Sequence, residues 1–573
     1  METPAPPVSV AVYLFARLRQ LGVEHVFGVP GDFNLLLLEE LDELDAPRWV
    51  GTANELGASY AADGYSRERG FGALVTTYGV GELSAINGVA GSFAEQVPVL
   101  HIVGAPRTTA TARGLPLHHT MLDGDAGHFQ RAAAEVTTAQ VVLGPDTEPG
   151  ELIDQLLQTI LDTSLPGYLS IPEDIVGQWI SGERLATTLT PTASSPSAVA
   201  EFRRRVAPML EPAERVVLLA GAGVNRARCE RQLRRLAESA ALPVATLLDA
   251  KGALDERHPL SVGVYQGAVS ADDVRAVVEG ADVLVRVGAR PCDTLTGGFS
   301  HRLDDSALIE LDIDHAAIDG HPIHGIRLAD ALSVIETVIV ERLSEPVTAN
   351  AYRLLTAIAG THAHDLDELD GAVTEPDAPL TQARLWQTVA AMLPTHSTVL
   401  ADAGTSFYGI GAELLPDDSR FIGQPVWSSI GYCLPAALGA QLAQPDRRTV
   451  LLIGDGAAQM TIQELGTIAR EHLKPIIILV DNNGYTIERA IRGTHSSYND
   501  ITRWNWPMLA AGLTAGSGQI TVSQAATNGE LFDALHEART TPDQLVLIQA
   551  HLDRLDVPGA LGSMIDALAQ SAP

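Results

Sequence analysis

A chain of 573 residues is too long for one hydrophobic core, so two to four domains are expected. The composition is 46% hydrophobic with 51 Gly and 33 Pro, which suits a well-buried, loop-rich α/β protein, and no run of about 18 apolar residues offers a transmembrane span. A net charge of −33 excludes nucleic acid as a partner, and with only two lysines, Lys251 and Lys474, Schiff-base chemistry has almost no candidates.

The opening METPAPPVSV lacks the basic flank and apolar core of a secretory signal, so a cytoplasmic location is expected. Cys229, Cys292 and Cys433 lie far apart and read as core residues rather than a disulfide framework or a metal cluster. The first segment, 1–185, alternates apolar strands such as Ala73–Thr77 and Val99–Val103 with amphipathic helices. Val29-Pro30-Gly31-Asp32-Phe33-Asn34 places an acid after a strand, and Glu55 in Thr52-Ala53-Asn54-Glu55 stands where a strand meets a helix. Leu117-His118-His119-Thr120 sets two histidines side by side. Each has a plainer reading: a turn acid, a helix-start acid favoured by the dipole, a solvated loop. Adjacent residues of an extended segment also point opposite ways, so both histidines need not face one ligand.

The Thr/Ser/Pro stretch 186–197 reads as a linker. The second segment, 198–345, opens on the strand Arg215–Ala220 and the turn Gly221-Ala222-Gly223. Arg226 stands where a dinucleotide loop needs its third glycine, so that fingerprint is broken and the segment reads as structural. An acidic, Pro-containing connection then leads to a third segment, 380–573. Strands alternating with helices throughout predict α/β architecture with three doubly wound parallel sheets. No short internal repeat is visible.

The most specific pattern lies in the third segment. The apolar run Val450–Ile453 predicts a strand buried on both faces, ended by Gly454-Asp455-Gly456. A helix is predicted next, with Met460, Leu465, Ile468 and Leu473 on one face, and then a second strand, Ile476–Val480, ended by Asp481-Asn482-Asn483-Gly484. Asp455 and Asn482, 27 residues apart, fall at the carboxyl ends of parallel strands, where α/β proteins bind ligands. The Asp455 carboxylate, the Asn482 amide oxygen and the Gly484 carbonyl are hard oxygen donors suited to Mg2+, and the glycines let backbone approach a diphosphate.

These residues resemble the thiamine-diphosphate enzymes, whose motif is GDG followed 25 to 30 residues later by NN. The resemblance extends over almost the whole chain and is closest to the pyruvate, indolepyruvate, phenylpyruvate and branched-chain 2-keto acid decarboxylases. It implies thiamine diphosphate and Mg2+ as cofactors, with a pyrimidine-binding domain at 1–185, a middle domain at 198–345 and a diphosphate-binding domain at 380–573. It implies that Glu55 bonds the aminopyrimidine ring, and that Ile430, in Ser428-Ser429-Ile430, is the apolar wedge beneath the cofactor. Serine stands at 428 where most relatives have glycine. Further cofactor contacts are implied for Ala403, Thr405 and Ser406 and for Gly454, Gly456, Ala457, Gly484 and Tyr485. Asp32, His118, His119 and Glu488 would share proton transfers during loss of CO2 from a 2-keto acid and release of an aldehyde. Phe407, Tyr408, Ile487, Ile491, Met564, Leu568, Ala403 and Thr294 match positions lining the acyl pocket. Small Ala403 and the run after Glu488 point to a bulky aromatic or branched-chain substrate rather than pyruvate. A homodimer or homotetramer with shared active sites is implied as well. A thiamine-dependent carboligase of the acetolactate synthase type and a pyruvate decarboxylase remain the alternatives.

Overall fold

The computed structural model describes residues 6–303, 308–342, 375–518 and 520–571, the last four by backbone alone. The acidic connection expected before residue 380 lies outside the described residues as far as 374. Two units are distinguished. The first takes in the chain up to Thr192 with Leu434–Asp446 and Thr461–Leu473, and the second holds Ala193–Cys433, Arg447–Met460 and the chain from Lys474 onward.

The first unit is built on six parallel strands in the order Arg48–Gly51, His25–Gly28, Gly72–Thr77, Val99–Ala105, Gly167–Pro172, Ala139–Val142. Its central strands are buried at every position and mostly apolar, as expected of a sheet covered on both faces. The chain runs outward from His25–Gly28 and then returns to the other side. This reversal opens a crevice beyond Gly28 and Thr77, the position where doubly wound sheets bind ligands.

The second unit carries two sheets. One is parallel in the order Arg420–Ile422, Ser397–Ala401, Arg448–Gly454, Ile476–Asp481, Leu545–His551, Ile520–Ala525. With strands ranked by their place in the chain, this order is identical to that of the first unit's sheet. The two share an architecture that no sequence repeat betrays, because packing requires only apolar strands of similar length and not the same residues. The other sheet has five parallel strands, Ser261–Val264, Val244–Thr246, Val216–Ala220, Val283–Val287 and Leu308–Leu311. An antiparallel hairpin, His315–Ile318 with His321–His324, extends it. The hairpin turns on Asp319 and Gly320, with φ of 51° and 70°, the pair of positive values that matches strand twist in a two-residue loop.

The single helix expected after Asp455 is two, Asp455–Thr461 and Glu464–Arg470. β-Branched Thr461 and Ile462 stand at the break. Leu465 and Ile468 are buried as predicted, but Met460, expected on the same face, is 55% exposed because the break takes it out of register. All three cysteines are free, as the sequence reading expected. Among the described residues no helix is long and apolar enough to cross a membrane.

Candidate active site

In the first unit four segments meet at the carboxyl edge of the sheet. Glu55 opens the helix Glu55–Arg69, whose first turn is capped by Asn54 accepting from the Gly57 N–H at 2.7 Å. The Glu55 side chain is half-buried and forms no hydrogen bond or ion pair with any described residue. It faces Gly81, where an added Cβ would lie 3.2 Å from Glu55 Oε1. The turn that presents it is fastened by buried Glu464, which accepts the Ala53 N–H at 2.9 Å and the Thr467 hydroxyl at 2.8 Å. Burial pushes the Glu464 carboxyl above its ordinary range. Removing it with Glu464→Ala strands the Ala53 N–H. Amide exchange around 53–57 should accelerate about 2- to 10-fold, the factor for one lost hydrogen bond, and exchange at the wild-type rate would show that Glu464 does not hold the turn.

Asp32, on the short 3-10 turn Asp32–Asn34, lies against both histidines. Its Oδ2 is 2.6 Å from His118 Nε2 and its Oδ1 is 4.0 Å from His119 Nδ1. The ring of Phe33 stacks on His118 at 5.0 Å and meets His119 edge-on. Neighbouring histidines of an extended segment need not share a side, but these two do. His119 has φ of 61°, so the segment is not extended, and the two rings sit 4.5 Å apart on the same side. His119 Nδ1 is buried and without a hydrogen-bond partner among the described residues.

In the second unit, the first strand of the parallel sheet ends at Asp402-Ala403-Gly404. Gly404 has φ of 115°, a conformation L side chains rarely adopt, and it starts the helix Thr405–Gly411. The Ser406 hydroxyl is buried with no hydrogen-bond partner among the described residues. Fully buried Asp402 accepts the N–H groups of Gly431 at 3.0 Å and Cys433 at 2.9 Å and so clamps the loop that carries half-exposed Ile430. Burial pushes its carboxyl up to about 6. Ser428 occupies the left-handed region at φ 54°, which explains why glycine is the easier residue there. Its backbone N–H donates to Gln424 and its hydroxyl to Pro425.

Asp455 and Asn482 follow neighbouring parallel strands and are 2% and 3% exposed. Asp455 accepts the N–H groups of Gly456 at 2.8 Å and Gly484 at 3.2 Å. The Asn482 amide has two orientations. In one, its nitrogen donates to the Gly484 carbonyl at 2.8 Å and to Asp455 Oδ1 at 3.3 Å. In the other, its oxygen lies 2.8 Å from the Gly484 carbonyl oxygen and 3.3 Å from Asp455 Oδ1, near the spacing of adjacent ligands on an octahedral cation bound at about 2.1 Å. Burial and the nearby Asp481 carboxylate hold Asp455 well above the usual carboxylate range, as expected of a buried acid awaiting a positive charge. Nothing lies within 4 Å of a Cβ added at Gly454, whereas at Gly456 it would meet the Tyr485 ring at 2.5 Å. Ala457 is buried on the helix that follows. These donors, the partnerless Ser406 hydroxyl and the open backbone fit a diphosphate with its cation.

Glu488 lies exposed on the helix Thr486–Ile491, its carboxylate unpaired among the described residues. Beside it, buried Arg489 donates to the Asn483 and Asn499 carbonyls and to Asp500, holding the Asn482–Gly484 turn. Phe407, Tyr408 and Met564 belong to the core, with Ile487 packed against it, while Ile491 is 50% exposed and Ala403 and Thr294 are half-buried. A Cβ added at Gly404 would lie 3.8 Å from Ile487 Cγ2, and the Thr294 hydroxyl donates to the Pro425 carbonyl. The Leu568 side chain lies outside the described residues. At the broken dinucleotide loop, Gly221 and Gly223 serve the close approach of Gly288 and Ala289, whose Cα atoms would lie within 2.7 Å of an added Cβ. Asp402, Glu464 and Arg489 were not assigned roles from sequence. No motif marks them: Glu464 and Asp402 act on backbone distant in the chain, and Arg489 on carbonyls that carry no residue identity.

Three models of thiamine pyrophosphate enzymes match the chain: the N-terminal cofactor-binding domain over residues 8–130, the central domain over 203–337 and the C-terminal cofactor-binding domain over 406–550. The chain is 42% identical over 565 residues, 98% of each protein, to the alpha-keto-acid decarboxylase of Mycobacterium tuberculosis (strain ATCC 25618 / H37Rv). It is 43% identical over 561 residues to that of Mycolicibacterium paratuberculosis (strain ATCC BAA-968 / K-10), covering 98% of this chain and 96% of the relative. The fold and the cofactor cradle therefore define a thiamine-diphosphate enzyme. Within that class, the chain belongs to the 2-keto acid decarboxylase family.

Proposed function

We propose that this protein is a thiamine-diphosphate- and Mg2+-dependent carboxy-lyase that converts a bulky aromatic or branched-chain 2-keto acid, in preference to pyruvate, into CO2 and the corresponding aldehyde. The observation that carries the reading is the Asp32–His118–His119 cluster, set on the same sheet edge as a Glu55 carboxylate unpaired among the described residues. Bound thiamine diphosphate supplies a nucleophilic carbon and a cationic ring that accepts the electron pair left by CO2.

The protein's own groups do the rest. Asp455, Asn482 and Gly484 offer the oxygens for Mg2+, with Ser406 and Thr405 toward the diphosphate. The Glu55 carboxylate holds and exchanges a proton with the pyrimidine ring, and Ile430, fixed by Asp402, supplies the apolar wedge beneath it. Asp32 carries negative charge where the departing carboxylate is disfavoured. A proton shared between His118 Nε2 and Asp32 Oδ2 is available for delivery to substrate carbon, and Glu488 supplies a second acid. The functional division into 1–185, 198–345 and 380–573, assembly as a homodimer or homotetramer, and a cytoplasmic location belong to the same proposal.

Small Ala403 and half-exposed Ile491 support room for a large acyl group. Rates on phenylpyruvate, 2-ketoisovalerate and pyruvate, with both cofactors saturating, test this. Expected is a kcat/KM at least about ten-fold higher for one of the larger acids, the range a few methylenes in an apolar pocket supply. A preference for pyruvate would overturn the assignment.

A further inference from the structure

Between Glu55 and the histidine pair runs the turn Tyr78-Gly79-Val80-Gly81, which leads from the strand Gly72–Thr77 into the helix Val80–Ala94. It touches both catalytic groups. A Cβ added at Gly79, whose φ is 67°, would lie 2.1 Å from the His119 carbonyl oxygen, and one at Gly81 would lie 3.2 Å from Glu55 Oε1. Gly79 has no space for a side chain, and at Gly81 one would fit only tightly. The turn is tied from below by Glu82, only 3% exposed, whose Oε1 accepts the Gly79 N–H at 2.7 Å and whose Oε2 accepts the Tyr168 hydroxyl at 2.8 Å. Tyr78 is wedged edge-on between Phe33, the ring that stacks on His118, and Phe129.

We propose that Glu82 is a positioning residue: its carboxyl fixes the Gly79–Gly81 turn, and through that turn sets the Glu55 carboxylate and the His118–His119 segment relative to one another. The inference rests on the reading of Glu55 and the histidines as the groups that handle cofactor and substrate. A buried carboxylate without a cation is expensive, and among the described residues no arginine or lysine pairs with Glu82. Burial accordingly pushes it up to about 7, against the opposing pull of the Gly79 N–H and the Tyr168 hydroxyl. The titratable groups around it are Tyr168 on the sheet, Tyr78 on the turn itself and His101, edge-on to Tyr168. The tyrosines are pushed up by burial, and His101 is pushed down to about 3, so Glu82 alone among these four titrates near neutrality. Its neutral form is favoured in the folded protein. That contribution to stability is complete below the ordinary value of 4.5 and lost as pH rises through about 7. The ionised form grips the turn harder, because hydrogen bonds to a carboxylate are the stronger ones.

The test is kcat against pH for the holoenzyme, saturated with thiamine diphosphate, Mg2+ and keto acid, in the wild type, Glu82→Gln and Tyr168→Phe. Wild-type kcat should rise about five-fold through pH 7 as the bonds become charge-assisted. Glu82→Gln keeps an oxygen toward Gly79 and cannot ionise, so its kcat should stay at the wild-type acid plateau and lose that rise. Tyr168→Phe removes a donor that lowers the Glu82 value, so the rise should move up by about half a pH unit or more. A Glu82→Gln profile that superimposes on the wild type would overturn the inference. Should that variant not fold, an unmoved rise in Tyr168→Phe would overturn it equally. A wild type that releases no CO2 from any keto acid would sink the decarboxylase reading instead.

Discussion

Glu55→Gln should lower kcat for keto-acid decarboxylation by about 10²- to 10⁴-fold, the range that a positioned acid–base group contributes, while cofactor affinity changes little. The amide keeps the size and half-buried setting of the side chain but can neither take up nor give up a proton. Because the Glu55 carboxylate has no partner among the described residues, no ion pair is broken and the fold should persist. The Asn54 cap and the Glu464 clamp act on backbone and remain in place. The loss therefore reads directly on chemistry, and steady-state kinetics with circular dichroism as a check on folding will measure it. Activity within a few-fold of the wild type would remove Glu55 from the mechanism.

Asp455→Ala is expected to act at the other end of the cofactor. It removes one of three converging oxygens and the acceptor of two backbone N–H groups, those of Gly456 and Gly484. Affinity for thiamine diphosphate at fixed Mg2+ should fall by more than about 100-fold, beyond the 10- to 100-fold cost of disturbing a group that merely orients a ligand. Isothermal titration separates this from a loss of turnover. The apoprotein should not lose stability in proportion, since a buried acid held above its ordinary range is a cost there and alanine relieves it. Equal cofactor affinity in the two proteins would contradict the metal assignment.

The site was legible in the sequence where it is local. Val450–Ile453 and Ile476–Val480 are apolar at every position, and the glycines and acids that end them can be read as strand termini. The structure sets Asp455 and Asn482 after neighbouring parallel strands. What escaped depends on backbone conformation and on contacts that no motif marks. The two histidines share a side because His119 takes a left-handed conformation, which a His-His pair does not announce. Glu464 serves a turn more than 400 residues away in sequence, and Asp402 holds a loop 29 residues downstream through backbone N–H groups that carry no residue identity. The common strand order of two sheets was equally invisible, because topology is set by pairing and connection and not by a repeated motif.

The most direct measurement is product stoichiometry from a single 2-keto acid, followed for CO2 and for organic product with both cofactors present and no added oxidant. One aldehyde for each CO2 is the predicted result. Release of CO2 with the carbon recovered chiefly as an acyloin or acetohydroxy acid would show that the cradle serves carbon–carbon bond formation, and would contradict the assignment as a carboxy-lyase.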